Sequence, residues 1–356
     1  MSQRYIDLLK KMISTPSATG KEAEVADIIF EFLSDNGCFP ERVGNNIYCL
    51  NRNYILEQTT ILLNSHIDTV LPVSGYTRDP YSPDVEDGKL FGLGSNDAGG
   101  SVVSLIATFI KYHKENLPFN LILAISAEEE RSGENGVRKL LPELNSRLGR
   151  IDMAIVGEPT GMNAAVGERG LLVLDCVATG VSGHAARNEG VNALYLAIED
   201  INRLRNFKFE KKSDLLGDIS INVTMIQCGT QANVVPDRCT FVADVRTTDA
   251  YTNIETVNLI KTALKSEVTP RSTRLSASAI SKDHPLVVAA LETGARAYVS
   301  PTMSDMALMP FPTLKIGPGD SARSHSADEY IFISEIEDAM TKYSNLIKSL
   351  IKIYGK

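Results

Sequence analysis

The feature that most constrains this chain is a repeated one: short apolar runs that each stop at His, Asp or Glu. Ile61-Leu62-Leu63 leads into Asn64-Ser65-His66-Ile67-Asp68, and Leu121 to Ile125 ends in Ser126-Ala127-Glu128-Glu129-Glu130. Ile151 to Val156 ends in Gly157-Glu158-Pro159, and Thr313-Leu314-Lys315-Ile316 passes through Gly-Pro-Gly toward His325. Between these runs lie helical patterns at 5–13 and 21–36. A third places Val102, Leu105, Ile106, Phe109 and Ile110 at i, i+3, i+4, i+7 and i+8. Buried strands alternating with helices predict an α/β fold with a mixed, largely parallel sheet. In such a sheet, ligands gather beyond the carboxyl ends of the strands, where these acids and histidines lie.

The middle of the chain reads differently. Residues 171–178 and 219–227 are shorter, partly alternating β-type runs, 190–206 is helical, 238–246 is strand-like and 252–266 is helical again. The order β-α-β-β-α-β predicts a small ferredoxin-like α+β unit. Because the α/β pattern resumes near residue 278, this unit reads as an insertion. The expected domains are 1–168 with 278–356, and an inserted 169–277.

Composition excludes several classes of function. Of 356 residues, Lys and Arg total 36 against 44 Asp and Glu, a formal net charge of -8, which argues against a nucleic-acid partner. No run approaches 18 apolar residues and the N-terminus lacks an apolar signal core, so no membrane partner is expected and the chain reads as cytoplasmic. Five cysteines form no CxxC pair and read as reduced, packed thiols. HExxH, GxSxG and Walker A motifs are absent. Gly317-Pro318-Gly319-Asp320-Ser321-Ala322 matches a lenient dinucleotide fingerprint, but polar residues follow it rather than a helix, so it is rejected.

Two histidines and several carboxylates at strand ends form a nitrogen and oxygen set that Zn²⁺ accepts. Two ions roughly 3.5–4 Å apart can share a carboxylate and a water. Each residue also has a structural explanation. A strand-end His commonly serves as a hydrogen-bonder, Asp97 would serve as an N-terminal anion of the following helix, and three consecutive Glu would form a solvated run. Asp68, two residues past His66, shares its face and could orient the imidazole. Together, ligand-type residues at five strand ends outweigh the separate explanations.

These segments resemble the M20 family of co-catalytic zinc metallopeptidases, in the group of acetylornithine deacetylase and succinyl-diaminopimelate desuccinylase, over almost the whole chain. Ser65-His66-Ile67-Asp68-Thr69-Val70 is similar to the first-ligand motif, which implies His66 on one metal and Asp68 orienting it. Gly94-Ser95-Asn96-Asp97-Ala98-Gly99-Gly100 resembles the bridging-Asp motif, with Asn96 standing where many members carry other residues. Ala127 to Gly136 resembles the Glu-Glu motif. Aligned on Gly136, Glu129 is the general base and Glu130 a ligand, a register one residue earlier being the alternative. Val156-Gly157-Glu158-Pro159-Thr160 and Ser324-His325-Ser326 resemble the remaining ligand motifs.

The resemblance further implies two Zn ions, with Co a possible substitute, held by His66, Asp97, Glu130, Glu158 and His325. The insertion would be a lid that also makes a homodimer. Ser182-Gly183-His184-Ala185-Ala186-Arg187 resembles the segment whose His reaches a neighbouring subunit's site and stabilises an oxyanion. Asn233 and Arg246 resemble lid residues that hold a substrate carboxylate, while His113 and His284 match nothing and are expected at the surface. The implied activity is hydrolysis of the amide bond of a small N-acyl amino acid. N-acetyl- or N-succinyl-ornithine, in arginine biosynthesis, is the first choice. Succinyl-diaminopimelate desuccinylase, an M20 dipeptidase or aminopeptidase, and a non-catalytic metal-binding protein are the alternatives.

Overall fold

In a computed structural model of the chain, residues 2–187 and 189–355 are described. The backbone separates into two compact units. One comprises 1–166, 280–298 and 304–356, the other 167–279 and 299–303. The short segment 299–303 is a part of the second unit that the sequence does not mark.

The first unit is built on a mixed sheet. Its strands run Glu41–Val43, Asn46–Leu50, Asn120–Ser126, Thr60–His66, Met153–Val156, Thr313–Lys315 and Ala164–Glu168 in spatial order. The four central strands are mutually parallel, and the antiparallel pairings lie toward the edges. Thr60–His66 and Asn120–Ser126 are buried at every residue, as strands covered on both faces must be.

On one face, Leu62, Ile122, Ala124, Ala154 and Val156 pack against Val137, Leu140, Leu141 and Leu144 of the helix Val137–Leu148. Gly100–Tyr112 packs against the central strands and the long helix Ile333–Tyr354. Of the predicted stripe, Val102, Leu105, Ile106 and Phe109 are fully buried and Ile110 is half-buried, each buried side chain contributing roughly 1.5–3 kcal/mol by leaving water. The opposite side of this helix is buried too. Ser104 and Thr108 satisfy their hydroxyls there by donating to the carbonyls of Gly100 and Ser104, at 2.7 and 2.9 Å. Among the described residues no helix is long and apolar enough to cross a membrane.

The second unit has four antiparallel strands in the order Ser220–Cys228, Arg238–Thr247, Gly170–Thr179 and Glu267–Pro270, with the helices Ala193–Asn206 and Asn253–Ala263. This is the ferredoxin-like arrangement. Gly170–Thr179 alternates buried and half-buried residues along its length, and Leu172, Leu174, Cys176 and Ala178 join Phe241, Ala243 and Val245 in the core. Thr252 begins the second helix with a reciprocal cap. Its hydroxyl accepts the Glu255 N–H at 3.1 Å, and Glu255 accepts the Thr252 N–H at 2.7 Å.

One expectation for the histidines needs correction. His113 is buried, not at the surface: it stacks on Phe109, with Nδ1 2.8 Å from the Ile110 carbonyl. His284 caps the helix Pro285–Glu292 by accepting the Leu286 N–H at 3.3 Å.

Candidate metal centre

The parallel order delivers four strand ends to one edge of the sheet. His66 is the last residue of its strand. The Glu triplet follows Ser126, Glu158 follows Val156, and the loop carrying His325 follows Lys315. Asp97 arrives separately, in a kinked turn at Ser95–Gly99 where its own backbone is extended (φ -120°, ψ 96°), just before the helix Gly100–Tyr112. The turn is entered through Gly94 at φ +76°, where a Cβ would come within 2.6 Å of the Thr69 methyl.

Asp97 stands between the two histidines. Its Oδ1 is 3.2 Å from His66 Nε2, and its Oδ2 is 3.8 Å from His325 Nε2. Glu158 lies 3.7 Å from His66 Nε2, and Glu130 lies 3.0 Å from His325 Nε2. Two donor trios therefore share one carboxylate: His66, Asp97 and Glu158, and His325, Asp97 and Glu130. His66, Asp97 and Glu130 also each offer an atom within 4.8 Å of the others. His66 is 1% exposed at its side chain and His325 52%, so the cluster opens on the His325 side.

Glu129 belongs to neither trio. Its carboxylate is 4.0 Å from His66 Nε2. Glu128 turns away at φ +55°, accepting the Asn135 N–H at 3.0 Å and the Asn135 amide at 2.9 Å. Of the triplet, only Glu129 and Glu130 thus contact the histidines.

Asp68 faces both the imidazole and the Glu loop. His66 Nδ1 lies 3.0 Å from the Asp68 backbone oxygen, which can only accept, and 3.5 Å from the carboxylate. The Asp68 side chain also receives the N–H groups of Glu129 and Glu130 at 2.9 and 3.1 Å and the Thr19 hydroxyl at 2.8 Å. It thereby links the His66 strand end to the Glu loop.

The electrostatics are those of a cation receptor. Burial pushes Glu158 up to about 8 and Glu129 well above the usual carboxylate range. Burial alone would lower His66, but the carboxylates of Asp68 and Asp97, with Glu129 and Glu158 beyond, hold it well above its ordinary value. The Glu130 carboxylate raises His325 to about 9. Burial would raise Asp97 as well, and the two histidines and Ser324 outweigh it. Two imidazoles and three carboxylates converge here, with the buried Lys315 close enough to bear on Glu158, and the donor types are those that divalent metals accept.

Sequence reasoning left out the groups that hold this arrangement. Glu329 is buried and accepts N–H groups from Gly94, Asn96 and Asp97, and burial next to Asp97 pushes it up to about 8. Asn96 is fully buried and bonds the backbone of Asp320. The signal for Glu329 was its place in the His325 segment, four residues on.

The three remaining site residues lie in the second unit. His184 pairs in register with Val234, and the Ala185 N–H donates to the Asn233 carbonyl at 3.1 Å, so His184 and Asn233 are neighbours on exposed backbone. Arg246 is elsewhere on that unit, near the end of Arg238–Thr247 that pairs with Gly170–Leu172. Its guanidinium is engaged by Asp244 at 2.8 and 3.2 Å.

The sequence profile of peptidase family M20/M25/M40 matches residues 62–349, a span that includes every residue of the two trios. The chain belongs to this family. It is 26% identical to the succinyl-diaminopimelate desuccinylase of Wolbachia pipientis subsp. Culex pipiens over 71% of this chain and 66% of that protein, so the match spans just under two thirds of the relative. Among solved structures it is similar to a tripeptidase from Staphylococcus aureus, at 21% identity, TM-score 0.76 and 99% coverage of both chains. It is also similar to a dinuclear metal-binding M20 peptidase from Bacillus subtilis, at 15% identity and TM-score 0.72, covering 99% of this chain and 98% of the other. At those identities the structural likeness establishes the fold.

Proposed function

We propose that this protein hydrolyses the amide bond of an N-acyl amino acid at a dinuclear zinc centre. His66, Asp97 and Glu158 would hold one ion and His325, Asp97 and Glu130 the other, with Co a workable substitute. The bound metal pair would polarise the scissile carbonyl and acidify water. The observation that carries the reading is Asp97, with one oxygen toward each histidine, beside a Glu129 carboxylate that neither trio uses.

Glu129 takes the proton from the attacking water and delivers it to the departing amine nitrogen. Both transfers are needed, because an unprotonated amine is a poor leaving group. Its burial suits the task, since it raises proton affinity toward working pH. Asp68 fixes the Glu129 backbone relative to His66. His184 would donate to the oxyanion, and Asn233 and Arg246 would receive the substrate's carboxylate, Arg246 exchanging its Asp244 partner for it.

A homodimer through the second unit accompanies this reading. Ser220–Cys228 is an edge strand with exposed Met225 and Ile226, and Tyr195 and Ile198 are exposed on the helix Ala193–Asn206. The likeness to succinyl-diaminopimelate desuccinylases favours N-succinyl-diaminopimelate as substrate over N-acetyl- or N-succinyl-ornithine, the sequence's first choice.

A hydrolysis panel of these three compounds and simple dipeptides, run with Zn-loaded parent and Glu129→Ala, tests the proposal. The parent should cleave an N-acyl amino acid, and the variant should keep two zincs while losing about 10²–10⁴ in rate. Cleavage confined to dipeptides would refute the deacylase reading, and near-parental activity in Glu129→Ala would refute the base.

A further inference from the structure

Asp97 and His325 come from loops more than two hundred residues apart, yet both trios depend on their separation. Two side chains tie those loops together on either side of His325. The first is Asn96. Its amide donates to the Asp320 carbonyl at 3.0 Å and its Oδ1 accepts the Asp320 N–H at 3.0 Å, pairing with one residue's backbone in both directions. Gly319 makes this possible, since a Cβ there would stand 2.3 Å from Asn96 Oδ1.

The second tie is Glu329. One carboxylate oxygen receives the N–H groups of Asn96 and Asp97 at 2.9 and 3.0 Å, and the other receives that of Gly94 at 3.1 Å. Glu329 is itself anchored. Its carbonyl accepts the Gly92 N–H at 2.9 Å, and the next residues form the strand Tyr330–Phe332, in register with Lys89–Phe91. A rigid strand end therefore presents a carboxylate to three backbone donors of the turn that carries Asp97.

We infer that Glu329 and Asn96 are positioning residues that clamp the Asp97 turn to the His325 loop and so set the geometry of the shared carboxylate. This rests on the metal reading above only in taking Asp97 and His325 as ligands, and it holds whichever amide is cleaved. Neither residue touches the two histidines. The clamp acts through the backbone of Gly94, Asn96, Asp97 and Asp320.

The test measures metal affinity without substrate. Zn²⁺ is titrated into the full-length apo-protein against a chromophoric chelator, and Co²⁺ loading is followed by visible absorption, for the parent, Glu329→Ala, Glu329→Gln and Asn96→Ala. Circular dichroism reports the folded state of each. Glu329→Ala should weaken the looser zinc about 10–100-fold, the usual scale for groups that orient ligands, and alter the Co²⁺ spectrum. Glu329→Gln keeps an oxygen for the Asn96 and Asp97 donors but turns its NH2 toward the Gly94 N–H, so it should recover part of the loss, to within about tenfold of the parent. Asn96→Ala should fall between them.

Parental zinc affinity and a parental Co²⁺ spectrum in Glu329→Ala would overturn the clamp. If Glu329→Ala does not fold, parental affinity in Asn96→Ala, or a Glu329→Gln loss as large as 100-fold in a folded protein, overturns it. A parent that binds no zinc refutes the metal reading and the clamp together. A parent that binds two, with unaltered variants, refutes the clamp alone.

Discussion

Asp68→Asn isolates the link between His66 and the Glu loop. The Asp68 carboxylate is fully buried and serves three donors: Glu129 N–H, Glu130 N–H and the Thr19 hydroxyl. An asparagine of the same shape has one oxygen. If that oxygen keeps the Glu129 N–H, the new NH2 group faces the Glu130 N–H, while Thr19 can rotate to accept. The orphaned N–H costs about 1–3 kcal/mol, and the surviving bond falls from charge-assisted to neutral, about 1 kcal/mol more. The variant should therefore lose about 2–4 kcal/mol of stability at neutral pH and about 10–100-fold in activity. The chain has no Trp, so urea unfolding is followed by far-UV circular dichroism. Burial alone would raise the Asp68 pKa, but His66, Thr19 and the Glu129 N–H outweigh it and hold it below its ordinary value. A depressed folded pKa stabilises above the unfolded value of about 3.9 and is lost as pH falls through the folded one. The gap between parent and variant should thus be full at pH 7 and close in strong acid. A gap under about 0.5 kcal/mol at pH 7, or one that persists unchanged in acid, would refute the reasoning.

The second unit has its own buried acid. Asp200 would be raised by burial, but it is lowered by the Ser266 hydroxyl and N–H, the Lys265 N–H and Arg203. Asp200→Ala should cost about 3–5 kcal/mol, most of it absent in strong acid, with faster amide exchange in Ala193–Asn206 and unchanged exchange in Thr60–His66. Protected amides in that helix would contradict this. At the metal centre, Glu158 near 8 and His325 near 9 hold protons at pH 7 without metal, and the carboxylates around His66 hold it well above its ordinary value too. Loading zinc should therefore release about two to three protons and bind more weakly as pH falls, which calorimetry in buffers of different ionisation heat measures. Release near zero would count against these groups as ligands.

What could be read from the sequence follows from how local each signal is. His66, Glu158 and the Glu triplet each close an apolar run, so strand period and parallel order bring them to one edge. The βαββαβ order of the middle is likewise carried by short-range patterns. Asp97 belongs to no strand, and it could be placed only by motif. Its position depends on a kinked turn that no periodicity announces. The roles of Glu329 and Asn96 could not be read beyond their places in the His325 and Asp97 motifs, because their partners are backbone groups of a distant loop, which carry no side-chain signature. The Asp68 carboxylate was assigned to the imidazole, two residues away, because same-face spacing is visible in sequence. The amides of Glu129 and Glu130, which it also holds, are brought there by the reversed backbone at Glu128.

That division has a physical consequence for how the site is held together. The ligand side chains cannot stabilise one another unaided, since Asp97, Glu130 and Glu158 converge in a poorly solvated place and burial already drives Glu158 toward its neutral form. Their order must come from groups that gain by being there. Asp68, Glu329 and Asn96 are such groups, each satisfied by backbone donors or acceptors and each tied to a regular element. Accordingly, the cluster should keep its backbone arrangement when metal is stripped, while its side chains take up protons. Amide exchange compared between zinc-loaded and chelated protein should then show similar protection at 94–97 and 129–130. Protection lost from those amides on chelation, to the level of an exposed loop, would mean that metal rather than backbone bonding orders the turns.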